Sequence, residues 1–146
     1  MVRNIVVSHE DADDAAQNTF IKVWENLDQF RNESALYTWI YRIATNEALN
    51  ILRKRKPNLS LDDLGEAFFD EHSTETLWMD ANETEIQLQI AINSLPVKQK
   101  LVFCLRYFED LSYQQISSIT ETSEGALKAS YFHAVKKIEE FLKHSI

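Results

Sequence analysis

The sequence predicts an all-α protein built as two small helical domains joined by an acidic linker. Three observations carry that expectation. Only 2 Gly and 2 Pro occur in 146 residues, too few turn formers for a β sandwich or barrel. Apolar residues recur at steps of three and four, and Ser residues stand where helices should begin. The helical pattern stops at Pro57, and the stretch to residue 80 has neither steady periodicity nor any basic side chain. The expected division is a first domain over 1–56, a linker over 57–80 and a second domain over 81–146. A hydrophobic content of 45% is too high for a wholly disordered chain and suffices for one modest core or two small ones.

A net charge of −8 argues at first against a nucleic-acid partner, but the charge is unevenly spread. Residues 1–56 hold 8 basic and 8 acidic side chains, 57–94 hold 9 acids and no Lys or Arg, and 95–146 hold 7 basic against 6 acidic. The acidity is concentrated in the middle. Arg42, Arg53, Lys54, Arg55 and Lys56, opposed only by Glu47, make a locally basic helix end suited to phosphate.

The first long helix is expected over Asp11–Leu27. Ala12, Ala16, Phe20, Val23, Trp24 and Leu27 form its apolar stripe, read as core, with Ser8 and Asp11 as the capping pair. A second face carries Asp14, Gln17, Asn18, Ile21 and Glu25, an isoleucine set among polar residues. From periodicity alone this face fits a solvated surface better than a partner surface.

The second helix is expected from the Ser34 cap to about Lys56, on a stripe of Ile40, Ile43, Ala44, Ala48, Ile51 and Leu52. Beside it Trp39, Arg42, Asn46, Asn50 and Arg53 share one face, with Tyr37 and Tyr41 close by. Rings and guanidinium groups offer stacking surfaces to unpaired bases, and amides read base edges, so the set suits single-stranded DNA. Trp39 fits burial at least as well as base contact.

The second domain opens with a periodic segment over Glu83–Asn93. Pro96 then suits the first turn of a helix carrying Leu101, Val102, Leu105 and Phe108. Ser112 and Gln115 form a capping box for a short helix with Ile116 and Ile119. A turn follows through Glu121 and Thr122, and Ser123 caps a last helix with Leu127, Tyr131, Val135, Ile138 and Leu142. This is a helix-turn-helix pattern. The first turns of its second helix offer Lys128, Ser130, Phe132 and His133 to a major groove, with Lys136 placed for a phosphate.

These segments resemble, in order, those of the extracytoplasmic-function sigma factors. DADDAAQNTFIKVWENLDQF (11–30) is similar to the family's region-two helix that docks on RNA polymerase. RNESALYTWIYRIATNEALNILRKRK (31–56) resembles its promoter-melting and minus-ten segment. The stretch from Leu95 to Leu142 resembles region four, which reads the minus-thirty-five element. The resemblance implies that Asp14, Gln17, Asn18 and Ile21 contact polymerase, against the reading from periodicity. It implies that Phe30, Arg31 and Asn32 capture a flipped promoter base, whose unstacking costs a few kcal/mol. Ser123 joins the minus-thirty-five set at the start of the recognition helix. The implied partners are core RNA polymerase, promoter DNA and an anti-sigma factor.

Two departures accompany the resemblance. The chain opens at MVRNIVVSHED with only the end of the family's first helix, so its first domain is expected to expose part of its core. Glu121 stands where the family's turn commonly has Gly.

No metal-ligand spacing, phosphate-binding glycine loop or nucleophile motif is present, so the sequence predicts no enzyme, cofactor or metal. The longest apolar run, Leu101–Leu105, falls far short of the roughly 20 residues that span a bilayer. With no signal-peptide pattern, a cytoplasmic protein without membrane insertion is expected. Cys104 reads as a small buried hydrophobe. A sigma-like adaptor without catalytic function and a helix-turn-helix repressor are the alternatives. The basic and aromatic face speaks against the first, and the unexplained first domain against the second.

Overall fold

The computed structural model describes residues 1–6, 8–32, 35–55 and 82–145, so the expected linker and the expected Ser34 cap lie outside the described residues. All regular structure among them is helical: α1 (Val2–Ile5), α2 (His9–Asn26), a 3₁₀ turn (Leu27–Gln29), α3 (Leu36–Arg55), α4 (Glu83–Asn93), α5 (Val97–Tyr107), α6 (Tyr113–Thr120) and α7 (Glu124–Ser145).

Local chemistry sets most helix ends. The Ser8 side chain accepts from the Asp11 amide at 3.0 Å and starts α2. At α4, Asn82 and Glu85 close a capping box that the sequence reading did not include. Pro96 proves to be the N-cap of α5 and not its first helical residue. Ser112 and Gln115 form the expected box at α6, their reciprocal bonds 2.8 and 3.1 Å long. Ser123 caps α7 by accepting from the Ala126 amide at 3.3 Å. Between α6 and α7, Glu121 takes the left-handed conformation at φ 56° and donates its amide to the Ser117 carbonyl at 2.8 Å. The glutamate therefore adopts the dihedrals a glycine would favour, at a cost of about 1 to 2 kcal/mol. The turn is kept.

α2 packs along α3, α4 and α5 pack on α7, and α6 bridges α3 and α7. α1 lies against α2, α3 and α5. One apolar cluster joins Ile5, Val6, Ala12, Ala48 and Leu52 to Val97, Leu101, Leu105, Leu111, Ile116, Ile119 and Leu127, so the two halves of the chain share a core. A second cluster, of Ala91, Ile92, Leu95, Phe103, Cys104, Ala134 and Ile138, belongs to the second half alone. Cys104 is fully enclosed, as expected of a small hydrophobe.

The stripe assigned to the core of α2 is only partly buried. Ala12 is enclosed and Ala16 and Val23 are half-buried, but Phe20 and Trp24 are 72% and 81% exposed and Leu27 is exposed as well. The helix turns a different side to α3, burying Asp11, Ala12, Ala15 and Thr19, and the four-residue α1 is too short to cover the rest. Small side chains at that contact let the backbones approach closely, and the Thr19 hydroxyl bonds the Ala15 carbonyl at 2.6 Å. On α3, Ala44, Ala48 and Leu52 are buried as expected, while Ile40, Ile43 and Ile51 are half-buried. Phe108 is exposed, because α5 ends at Tyr107 and Phe108 folds edge-on over Phe103 and Tyr107.

Candidate polymerase and nucleic-acid surfaces

The polar face of α2 is open. Asp14, Gln17, Asn18 and Ile21 are all exposed, and Asp14, Gln17 and Asn18 border a shallow hollow completed by Ile51 and Lys54 of α3. A neighbouring hollow joins Asn18 and Ile21 to Asn50 and Arg53, two residues assigned from sequence to DNA. The Lys22 ammonium pairs there with the buried Glu47 carboxylate, tying α2 to α3.

The residues read as the minus-ten face separate into distinct groups. The Phe30 and Trp39 rings meet at 5.2 Å between centroids, tilted by 37°, and Trp39 is half-buried beside this residue of the preceding loop. Arg31 is exposed, and Asn32 is exposed with a left-handed φ of 58°. Tyr37 and Tyr41 meet edge to face at 5.9 Å. Asn46, Asn50 and Arg53 are exposed along α3.

Tyr37, Tyr41 and Arg42 are engaged by the second half of the chain. Tyr41 donates its hydroxyl to Glu109 Oε2 at 2.5 Å. Burial, and then this bond to a carboxylate, push the Tyr41 phenol up to about 12. Arg42 donates from Nε and Nη2 to the Ser118 carbonyl at 3.0 and 2.5 Å, and the Gln115 amide donates to the Tyr37 hydroxyl. Glu109, Gln115 and Ser118 are partners that the sequence reading missed. They stand 68 to 78 residues from the side chains they hold, which leaves no local pattern to find them by.

On α7, Ser123 sits at the cap, while Phe132, His133 and Lys136 are exposed on the side away from the buried Leu127, Ala134 and Ile138. The Phe132 and His133 rings lie 5.7 Å apart. Lys128 projects over the Tyr113 ring at 5.8 Å, where Arg106 also lies at 4.9 Å. Ser130 is half-buried and borders a cavity of about 220 Å³ between the two halves, with Arg42, Thr45 and Asn46 on the facing wall. Among the described residues no group of His, Cys, Asp or Glu could hold a metal ion. No helix among them is long and apolar enough to cross a membrane.

Fold and surfaces define a helical protein whose second half carries a helix-turn-helix and whose first half pairs a polar, open α2 with an aromatic and basic α3. Family models agree with that division: Sigma-70 region 2 matches residues 1–57 and Sigma-70, region 4 matches residues 85–138. The chain is 36% identical over 143 residues to the ECF RNA polymerase sigma-E factor of Haemophilus influenzae, covering 91% of this chain and 75% of that one. It is 32% identical over 153 residues to the RNA polymerase sigma-H factor of Pseudomonas aeruginosa, covering 98% and 79%. A solved structure, the sigma factor RpoE of Bartonella quintana in complex with the anti-sigma factor NepR, shares the fold with a TM-score of 0.75 at 21% identity, covering 97% of this chain and 87% of that one. The chain belongs to the extracytoplasmic-function RNA polymerase sigma factors.

Proposed function

We propose that this chain binds core RNA polymerase through Asp14, Gln17, Asn18 and Ile21 and directs it to promoters by reading two DNA elements, one with each half. The observation that carries the reading is the match of both sigma regions, in order, to the two halves of one chain. In its working division residues 1–56 act as region two and 81–146 as region four, with 57–80 as the connection.

The minus-ten strand is held by Phe30, Arg31, Asn32, Tyr37, Trp39, Tyr41, Arg42, Asn46, Asn50 and Arg53. The neighbouring Phe30 and Trp39 rings, tilted by 37° to each other, supply an aromatic surface beside the loop that would receive a flipped base. The minus-thirty-five duplex is read by Ser123, Lys128, Ser130, Phe132, His133 and Lys136, from the early turns of α7. Binding, positioning and strand separation are the whole of its task. The bond-making steps belong to polymerase, so the chain needs no catalytic residue and works in the cytoplasm. The complex seen for the Bartonella relative supports an anti-sigma factor as a further partner.

Run-off transcription with bacterial core polymerase tests the reading. Promoter-dependent transcripts in the presence of the chain, and none with core alone, are the expected result. A chain that neither binds core nor supports a transcript sinks it.

A further inference from the structure

We infer that the cavity lined by α3, α5, α6 and α7 is a binding site for a compact carboxylate with an apolar body, of the size of an aromatic acid. The site goes beyond the promoter-binding reading and stands on its own side chains.

The cavity measures about 220 Å³. Leu101, Val102, Ile119 and Leu127 line it, and all four are buried in the shared core, so much of its wall is apolar. An apolar cavity of about 150 Å³ stays dry and accepts a benzene ring. The space here therefore takes a ring and has room for a small polar head.

Polar groups without protein partners stand ready for that head. Thr45 lines the cavity and is buried, and its hydroxyl has no hydrogen-bond partner among the described residues. Thr19 and Thr120 return their hydroxyls to the carbonyl four residues back, the usual outcome inside a helix, and Thr45 does not. An unpaired buried hydroxyl is unfavourable, and a ligand oxygen would pair it. Arg42, on the same helix and lining the same cavity, donates from Nε and Nη2 to the Ser118 carbonyl. Nη1 and the second proton of Nη2, the other edge of the fork, have no acceptor among the described residues. Such an edge takes a carboxylate through two parallel bonds. Lys98 and Glu121 complete the charged lining, so cations exceed anions and the site selects an acid over an amine. Arg42 is also assigned above to the minus-ten strand, which makes ligand and strand alternatives for one guanidinium. That coupling alone rests on the sigma reading.

Calorimetric titration of the full chain with benzoate tests the site. Saturable one-to-one binding with a Kd at or below about 1 mM is expected. Acetate, which lacks the ring, and benzylamine, which reverses the charge, should each bind at least about 10-fold more weakly. Thr45→Val keeps the shape and removes the hydroxyl, and should weaken benzoate about 5-fold without lowering the melting temperature of the free protein. Thr45→Ser, which keeps the hydroxyl, should bind within about 2-fold of wild type, and Arg42→Gln should lose about 10-fold or more. If Thr45→Val fails to fold, Arg42→Gln and the two comparison ligands decide. Absence of saturable benzoate binding, equal affinity for acetate or benzylamine, or full affinity in folded Thr45→Val or Arg42→Gln overturns the site. In run-off transcription, saturating benzoate should lower the yield of the wild-type chain at least about 2-fold while equal acetate leaves it unchanged. An unchanged yield despite calorimetric binding overturns the coupling. No transcript from the wild-type chain without benzoate removes the sigma reading, and the calorimetry still judges the site.

Discussion

Lys100 and Cys104 stand one helical turn apart on α5, and both are enclosed, with relative exposures of 2% and 0%. Burial lowers the Lys100 ammonium to about 8, and burial raises the Cys104 thiol to about 12, Lys100 opposing that rise. The folded protein thus shelters a cation from water at neutral pH. Replacing it by Met, which fills similar volume without charge, should raise stability at pH 7 by about 1 to 3 kcal/mol.

The pH dependence follows from the same two shifts. Between about 8 and 10.5 the folded Lys100 has released a proton that the unfolded chain still holds, so its contribution makes stability rise with pH. Cys104 acts in the opposite sense between 9.0 and about 12, where the unfolded thiol ionises while the folded one keeps its proton. Urea unfolding from pH 7 to 10 should therefore show the advantage of Lys100→Met shrinking as pH passes 8. An advantage that stays constant to pH 10 would contradict the assigned shift.

The exposed part of α2 gives a second expectation. Phe20→Ala and Trp24→Ala should each lower stability by less than about 0.5 kcal/mol, because both side chains stand mostly in solvent. Leu105→Ala, at 0% exposure in the shared core, should cost about 2 to 5 kcal/mol. Chemical denaturation of the three variants checks the contrast. Losses of core size at Trp24 would mean that the face is covered in the folded molecule.

That contrast also shows what was legible in the sequence. Helix ends could be read because their chemistry is local: Ser112 with Gln115, Ser8 with Asp11, and Ser123 before α7 each act on a partner three positions along the chain. The side of α2 that is buried could not. Periodicity marks Phe20, Trp24 and Leu27 as an apolar face but says nothing of which neighbour lies beside it, and the contact with α3 was made by smaller residues, Ala15 and Thr19. The aromatic, basic and amide side chains of α3 could be read from the sequence as a set of residue types. Their engagement by Glu109 and Ser118 depends on tertiary packing between distant segments.

For the polymerase face, Gln17→Ala combined with Ile21→Glu should weaken core binding by about 1 to 3 kcal/mol while α2 stays folded. Both side chains are exposed, and Ile21, at 54%, makes an apolar centre among polar neighbours. Circular dichroism should be unchanged while pull-down of core declines. Undiminished affinity for core would place the contact elsewhere.

The recognition helix allows the sharpest separation of roles. Leu127, Ala134 and Ile138 are buried, which leaves Lys128, Phe132 and Lys136 along an exposed strip at steps of four. Lys128 starts the strip, and its ammonium lies 5.8 Å from the Tyr113 ring centroid, which restrains the side chain before DNA arrives. Lys136 lies two turns further on and is exposed, and the proposed role for it is a phosphate contact. Lys128→Ala should therefore cost about 1 to 3 kcal/mol and relax preference at one promoter position. Lys136→Ala should weaken all sequences alike and reduce the salt slope by about one unit. Binding to a panel of single-base promoter variants across salt concentrations distinguishes the two. Equal, sequence-independent losses at both lysines would make Lys128 a phosphate contact and leave base reading to Phe132, His133 and Ser130.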